Sequence, residues 1–270
     1  MNPFTQLLRT SGGHPPIGTW IVSASALVAE AVGWAGFDWA VIDMEHAPPD
    51  VMDVMHMLQA LSGTKTVALV RVPWNDAVVV KRVLDVGATC VMFPFVQNAD
   101  DARQAVAATR FPPQGVRGVA GLSRASHYGT LPNYVRGANR QVGVIVEIET
   151  PQAIEQLEAI AAVDGVDAFF IGMADLAAAL GHAGTSNHPA VVDLMSRAVQ
   201  RCKAIGKPVG TVGATAELVA QHRAAGFDFV GVASDLGLMM TAAQRVITAL
   251  RTSSGEHVHS LVTGTRPEGA

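Results

Sequence analysis

Three carboxylates close two neighbouring apolar runs. Val146-Glu147-Ile148-Glu149-Thr150 ends the first, and after one helical stretch Phe169-Phe170-Ile171-Gly172-Met173-Ala174-Asp175-Leu176 ends the second. Carboxylates delivered from adjacent strand ends make an oxygen-rich site suited to a hard divalent cation. Glu147 and Glu149 share parity, so on a strand both side chains point to one side. Burying both without a cation costs several kcal/mol or keeps one protonated. With Asp175 added, the set resembles a Mg²⁺ or Mn²⁺ site completed by water and substrate oxygens, not a structural zinc cage.

Two further groups carry chemistry. Asp43-Met44-Glu45-His46 follows the apolar run Trp39-Ala40-Val41-Ile42. Taken alone it reads equally as a capping turn with a solvent-facing histidine. At a strand end, an Asp three residues before a His can accept the ring N–H, fix the tautomer and leave the other nitrogen to move protons. Arg71 ends the run Thr66-Val67-Ala68-Leu69-Val70, and a cation there suits a substrate carboxylate or a developing enolate oxygen better than a surface ion pair.

The elements that must position these groups repeat along the chain. Short β-branched runs alternate with amphipathic stretches of roughly ten to fifteen residues, the signature of βα units. Strands are predicted near Ile17–Ile21, Trp39–Met44, Thr66–Arg71, Cys90–Phe93, Val142–Ile148, Ala168–Ile171, Pro208–Val212 and Phe229–Val232. Eight units close a single-domain (β/α)8 TIM barrel over 1–251, whose chemistry sits at the C-terminal strand ends. Those ends hold Trp20, Asp43, Glu45, His46, Arg71, Pro94, Glu147, Glu149, Asp175 and Asp235. A long connection from Phe111 to Val142, bearing Arg117, Arg124, His127 and Tyr128, is expected to wall the site. The segment 252–270, rich in Ser, Thr and Gly, is expected to be a disordered tail, with His257 and His259 not read as a metal pair.

Composition excludes several classes. The 270 residues carry a formal net charge of −4 with no basic stripe, which argues against a nucleic-acid surface. No apolar run is long enough for a membrane span and no secretory leader opens the chain, so a cytoplasmic location is the expectation. Cys90 and Cys202 lack metal-site or disulfide spacing and read as buried, inert thiols.

Six ordered segments together resemble the HpcH/HpaI aldolases. They are Asp43-Met44-Glu45-His46-Ala47-Pro48, Arg71-Val72-Pro73-Trp74-Asn75-Asp76, Leu84-Asp85-Val86-Gly87-Ala88, Pro112-Pro113-Gln114-Gly115-Val116-Arg117-Gly118, Ile148-Glu149-Thr150 and Phe170-Ile171-Gly172-Met173-Ala174-Asp175-Leu176. The resemblance runs from about Ile17 to Leu250. It implies a class II pyruvate aldolase, using Mg²⁺, Mn²⁺ or Co²⁺, on a barrel whose last helix is exchanged between subunits of a homohexamer. Glu149 and Asp175 would bind the metal, and Arg71 would hold the pyruvyl oxygen. His46, oriented by Asp43, would activate a metal-bound water as the base; Trp20, Gly172, Met173, Ala174 and Asp175 would contact substrate, with Glu147 and Arg124 as further candidates.

The implied reaction cleaves a 4-hydroxy-2-oxo acid to pyruvate and an aldehyde through a metal-bound enolate. The favoured substrate is 4-hydroxy-2-oxoheptanedioate, from aromatic compound catabolism, giving succinate semialdehyde. The alternatives are a 2-dehydro-3-deoxy sugar acid of the glucarate type, decarboxylation of oxaloacetate or macrophomate-synthase-like chemistry, and, from a different class, a non-catalytic metabolite-binding barrel. A Schiff-base route needs a lysine inside the barrel, and Lys65, Lys81, Lys203 and Lys207 fall on helices or before strands. Three departures from the family pattern stand out: Glu147 where Gln is common, Met173 where Pro is usual, and His182 where Tyr is frequent.

Overall fold

The computed structural model describes residues 1–263, with side chains described as far as Thr252. Strands β1 (Ile17–Ile21), β2 (Trp39–Asp43), β3 (Val67–Arg71), β4 (Cys90–Phe93), β5 (Gly143–Ile148), β6 (Ala168–Ile171), β7 (Val209–Gly213) and β8 (Phe229–Ser234) form a closed barrel in chain order. Every neighbouring pair is parallel, and β8 closes on β1. This is the (β/α)8 architecture that the sequence predicts, with every strand boundary within two residues of expectation.

Helices between the strands start on polar caps. Ser25, Asp76, Asn98, Thr150 and Thr215 each accept a backbone N–H of the first helical turn, and Asp50 forms a capping box with Asp53. The apolar faces of these helices pack on the outside of the barrel with Ile42, Val70, Val91, Val146 and Ile171.

The opposite parity points inward. Trp39 and Val41, Leu69, Cys90 and Met92, Ile145, and Ala168 and Phe170 form the interior core with Trp20 and Phe229. Phe4, on the N-terminal helix Pro3–Thr10, plugs the bottom edge-on against Phe229 at 5.0 Å. These rings fill the barrel only because Gly18 faces them: a Cβ there would lie 2.1 Å from the Trp39 ring. Continuing the same parity by two residues carries β2, β3 and β5 from core to chemistry, from Val41 to Asp43, Leu69 to Arg71, and Ile145 to Glu147, with Glu149 two residues further.

The bottom of the barrel repeats a second device. Gly36-Phe37-Asp38, Gly165-Val166-Asp167 and Gly226-Phe227-Asp228 each precede an even-numbered strand, and each glycine has positive φ. The Asp carboxylates accept from Ile17, Val144 and Val209 N–H at 2.8, 2.8 and 2.9 Å. The same aspartates return their own N–H to the carbonyls of those residues at 2.9, 2.8 and 2.8 Å. Each clamp thus ties one strand start to the next. The fourth equivalent, Gly87-Ala88-Thr89, has a threonine in place of the aspartate.

After β8 a helix runs from Asp235 to Thr263. The tail expectation concerns 252–270, of which the side chains from 253 and the backbone from 264 lie outside the described residues, His257 and His259 included. Among the described residues no helix is long and apolar enough to cross a membrane.

Removing one clamp tests its contribution. Asp167→Ala leaves the Val144 N–H without its acceptor and should lower unfolding stability by about 1–3 kcal/mol, read as a shift of the urea midpoint at unchanged m-value.

Candidate active site

The parity argument delivers Asp43 and Arg71 side by side, as register partners on β2 and β3. Asp43 is 1% exposed and Arg71 9%. Arg71 donates from Nε to Asp43 Oδ1 at 2.9 Å and from Nη2 to Asp43 Oδ2 at 2.8 Å, a bidentate pair. Its Nη1 reaches Glu147 Oε1 at 3.4 Å, and lies 3.1 Å from Glu45 Oε2 as an ion pair without hydrogen-bond angles. Burial works against the Arg71 charge, but the Asp43 bonds and the fields of Glu147, Asp43 and Glu45 outweigh it, so its pKa is raised.

Asp43 therefore does not orient His46. Both its oxygens are on Arg71, and Oδ1 also accepts the Glu45 N–H at 3.0 Å. His46 sits at the rim with its side chain 66% exposed, and its acidic neighbour is Glu45, whose Oε1 lies 3.8 Å from Nε2. Glu45 stood in the strand-end list without a role; the structure makes it the bridge between His46 and Arg71.

Glu147 and Glu149 face the same cavity, as their parity requires. Burial raises Glu147 well above the carboxylate range, with Arg71 opposing and Glu149 reinforcing the shift, and its Oε2 is buried with no hydrogen-bond partner. Glu149 is pushed up to about 7, first by burial, against the lowering effect of the Phe95 N–H that donates to Oε2 at 2.7 Å. Nearby Asp175 and Glu45 add to the rise. Gly172 leaves room for this side chain: a Cβ there would lie 2.9 Å from Glu149 Cγ and Oε1.

One cavity of about 630 Å³ at the C-terminal mouth gathers Trp20, Asp43, His46, Arg71, Glu147, Glu149, Gly172, Met173, Ala174 and Asp175. Trp20 is its floor, packed on Trp39 and Phe170 at 5.7 and 5.2 Å. Gly172 caps the helix Met173–Ala179, so the free N–H groups of that first turn open on the cavity. Ser186, Ser234 and Thr241 add hydroxyls, while Val22, Val212, Leu218 and Ala233 add apolar wall.

The donor set fits a divalent cation that keeps water. Glu149 and Asp175 are two carboxylates on neighbouring elements, burial disfavours Glu149 ionising alone, and Glu147 Oε2 is an orphaned buried acceptor. No cluster of three or more His, Cys, Asp or Glu side chains stands in ligating arrangement among the described residues. Glu149 and Asp175 would be two ligands of such a cation, with the remaining positions left to water and substrate oxygens.

The long connection does not wall this site. Arg124 donates to Val86 O at 2.9 Å and, with Gly87, Thr89, His127, Tyr128 and Val142, lines a separate cavity of about 450 Å³ at the N-terminal ends of β4 and β5. Arg117 is buried against Asp85 at 2.8 Å and over the Phe111 ring at 4.4 Å. Asp235 likewise accepts from Val22 and Ser23 N–H and secures the chain after β1. Neither Arg117 nor Asp235 lines the site, nor does Pro94, which is simply buried. His182 stacks on His188 at 3.5 Å, away from the cavity lining. Among the described residues no lysine lines the cavity, and Cys90 and Cys202 are buried free thiols.

This chain and its barrel have parallels among known proteins. Residues 16–242 match the HpcH/HpaI aldolase/citrate lyase family, and the chain belongs to it. It is 50% identical over 236 residues to 2-dehydro-3,6-dideoxy-6-sulfogluconate aldolase of Pseudomonas putida, covering 87% of this chain and 92% of that relative. It is 43% identical over 235 residues to 5-keto-4-deoxy-D-glucarate aldolase of Enterobacter sp. strain 638, with the same coverage. An HpcH/HpaI aldolase/citrate lyase family structure from Burkholderia cenocepacia superposes with a TM-score of 0.89 at 41% identity, over 93% of this chain and 100% of that one. The protein is accordingly a carbon–carbon lyase.

A raised carboxylate has a signed effect on stability. With Glu149 near 7 when folded and 4.5 when unfolded, the cation-free protein loses stability as pH rises from about 4.5 through about 7. The shift corresponds to at most about 3 kcal/mol. Glu149→Gln should therefore raise the thermal midpoint in EDTA at pH 8 and leave it nearly unchanged at pH 5; equal effects at both would contradict the buried charge.

Proposed function

We propose that this protein is a class II aldolase that cleaves a 2-dehydro-3-deoxy sugar acid into pyruvate and a hydroxylated aldehyde. The observation that carries this reading is the convergence of Arg71, Glu149, Asp175 and the first turn of the helix Met173–Ala179 on one cavity that contains no lysine. The expectation of 4-hydroxy-2-oxoheptanedioate gives way to the sugar-acid alternative, because the relatives reported above act on sulfogluconate- and glucarate-type acids. The cavity chemistry agrees: Ser186, Ser234 and Thr241 offer hydroxyl partners to a polyhydroxylated chain.

Glu149 and Asp175 would hold a divalent cation, which supplies Lewis acidity towards the 2-oxo group. The N–H groups at the start of the helix Met173–Ala179 grip the pyruvyl carboxylate, for which the positive end of a helix is suited. Arg71, locked by Asp43, lines the cavity and stabilises negative charge as the C3–C4 bond breaks. His46 at the mouth, beside Glu45, takes the C4 hydroxyl proton as the aldehyde leaves. A proton at C3 then completes pyruvate. Trp20 and Phe170 close the floor against water.

The active form is a homo-oligomer, a hexamer by family pattern, with the last helix shared between subunits. Leu238, Met239, Met240, Val246 and Ile247 on that helix are 40–57% exposed in the isolated chain, which supports its burial against another copy.

Pyruvate C3 proton exchange followed by NMR, with and without EDTA, tests the enolate. Metal-dependent exchange is expected, and its absence would rule out any aldolase of this kind. Glu149→Ala and Asp175→Ala should abolish it while circular dichroism stays native. Arg71→Lys keeps the charge but loses the two-point pair with Asp43, and should cut kcat by roughly 10²–10³. A panel of aldehydes condensed with pyruvate should favour hydroxylated over unsubstituted chains; a preference for succinate semialdehyde would restore the heptanedioate reading.

A further inference from the structure

Two exposed aromatic rings beside the site are not explained by core packing. Trp74, after β3, and Phe95, after β4, are 55% and 46% exposed, yet they stack with centroids 6.0 Å apart and planes at 27°. Phe95 has φ of +53°, in the left-handed region where a residue with a Cβ is strained. That conformation aims its N–H at Glu149 Oε2, 2.7 Å away. The next amide, Val96 N–H, donates to the Glu147 carbonyl at 3.3 Å, so the same turn is pinned to β5 twice. On the other flank, Gly172 lies close to Glu149 Cγ and Oε1. The carboxylate is thereby fixed by one amide, with Oε1 on the Gly172 side.

We propose that the Trp74–Phe95 stack is a clamp that holds Phe95 in its left-handed conformation and so positions the Glu149 carboxylate for its cation. Strained backbone persists only where the surroundings over-determine it. Phe95 is about half exposed, and the ring it stacks on is Trp74. Trp74 does not line the cavity, so its influence on Glu149 passes through Phe95. It is a positioning residue that acts on the site from the surface. This inference rests on the reading of Glu149 as a cation ligand.

The test compares wild type, Trp74→Ala, Phe95→Gly and the double variant by Mn²⁺ titration with electron paramagnetic resonance, and by hydrogen exchange at the Phe95 amide. Trp74→Ala should weaken Mn²⁺ binding roughly tenfold, the size of effect seen when a partner behind a metal ligand is lost, and should speed exchange of the Phe95 amide. Glycine reaches this φ without strain. Phe95→Gly should therefore bind Mn²⁺ close to wild type, and adding Trp74→Ala to it should change nothing further. Wild-type affinity and amide protection in Trp74→Ala, or a loss that persists undiminished in the Phe95→Gly background, would overturn the clamp. If wild type itself binds no Mn²⁺, the cation reading fails, and amide exchange in Trp74→Ala still decides whether the stack holds Phe95.

Discussion

A guanidinium buried among carboxylates is the constraint on which the site depends. Among the described residues, Arg71 is the only Arg or Lys side chain lining a cavity that also presents Asp43, Glu147, Glu149 and Asp175. Without it the acids at the barrel mouth would repel one another in a medium that screens poorly. Its bidentate bond to Asp43 does two things at once: it neutralises one acid and fixes the fork so that Nη1 lies between Glu147 and Glu45. Glu149 and Asp175 are the acids left outside these contacts, and a cation in the proposed role would balance them. Burial of the Glu149 charge costs stability in the free protein, which a bound cation would offset.

The barrel supplies this arrangement by alternation alone. One parity of every strand faces the helices, and the other builds an aromatic interior plugged by Phe4 and floored at the site by Trp20. On β2, β3 and β5 the inward positions beyond this core carry charge: Asp43, Arg71, Glu147 and, just past β5, Glu149. Rigid strands thus place each charge, while the loop after β4 adjusts one of them through the Phe95 amide. At the opposite end the Gly-x-Asp clamps join strand starts in pairs, so the two ends of the barrel divide stability from chemistry.

Much of this was legible in the linear pattern because strand parity and barrel topology are periodic. All eight strands, the inward direction of Glu147 and Glu149, the placing of Arg71 at a strand end and the exclusion of lysine follow from spacing and order. What spacing misjudged was partner choice. Asp43 is three residues from His46 in sequence, but β3 brings Arg71 directly alongside, and a charged two-point bond outcompetes a local histidine contact. The long connection also misled, since a polar loop shows no sign of which end of the barrel it will cover. The Gly-x-Asp repeat was a readable signal that passed unused, because its meaning lies in contacts between neighbouring strands.

The sequence by itself determined the barrel, the parity of its acids, the residue types at the mouth and the family, because these depend on local periodicity and ordered motifs. Only the tertiary structure decided that Asp43 serves Arg71, that Glu45 stands beside His46, that Arg124 lies at the far end, and that an exposed aromatic pair reaches Glu149 through one amide. The physical reason is that pairing energies depend on distance across strands, and closure of the barrel, not separation along the chain, sets those distances.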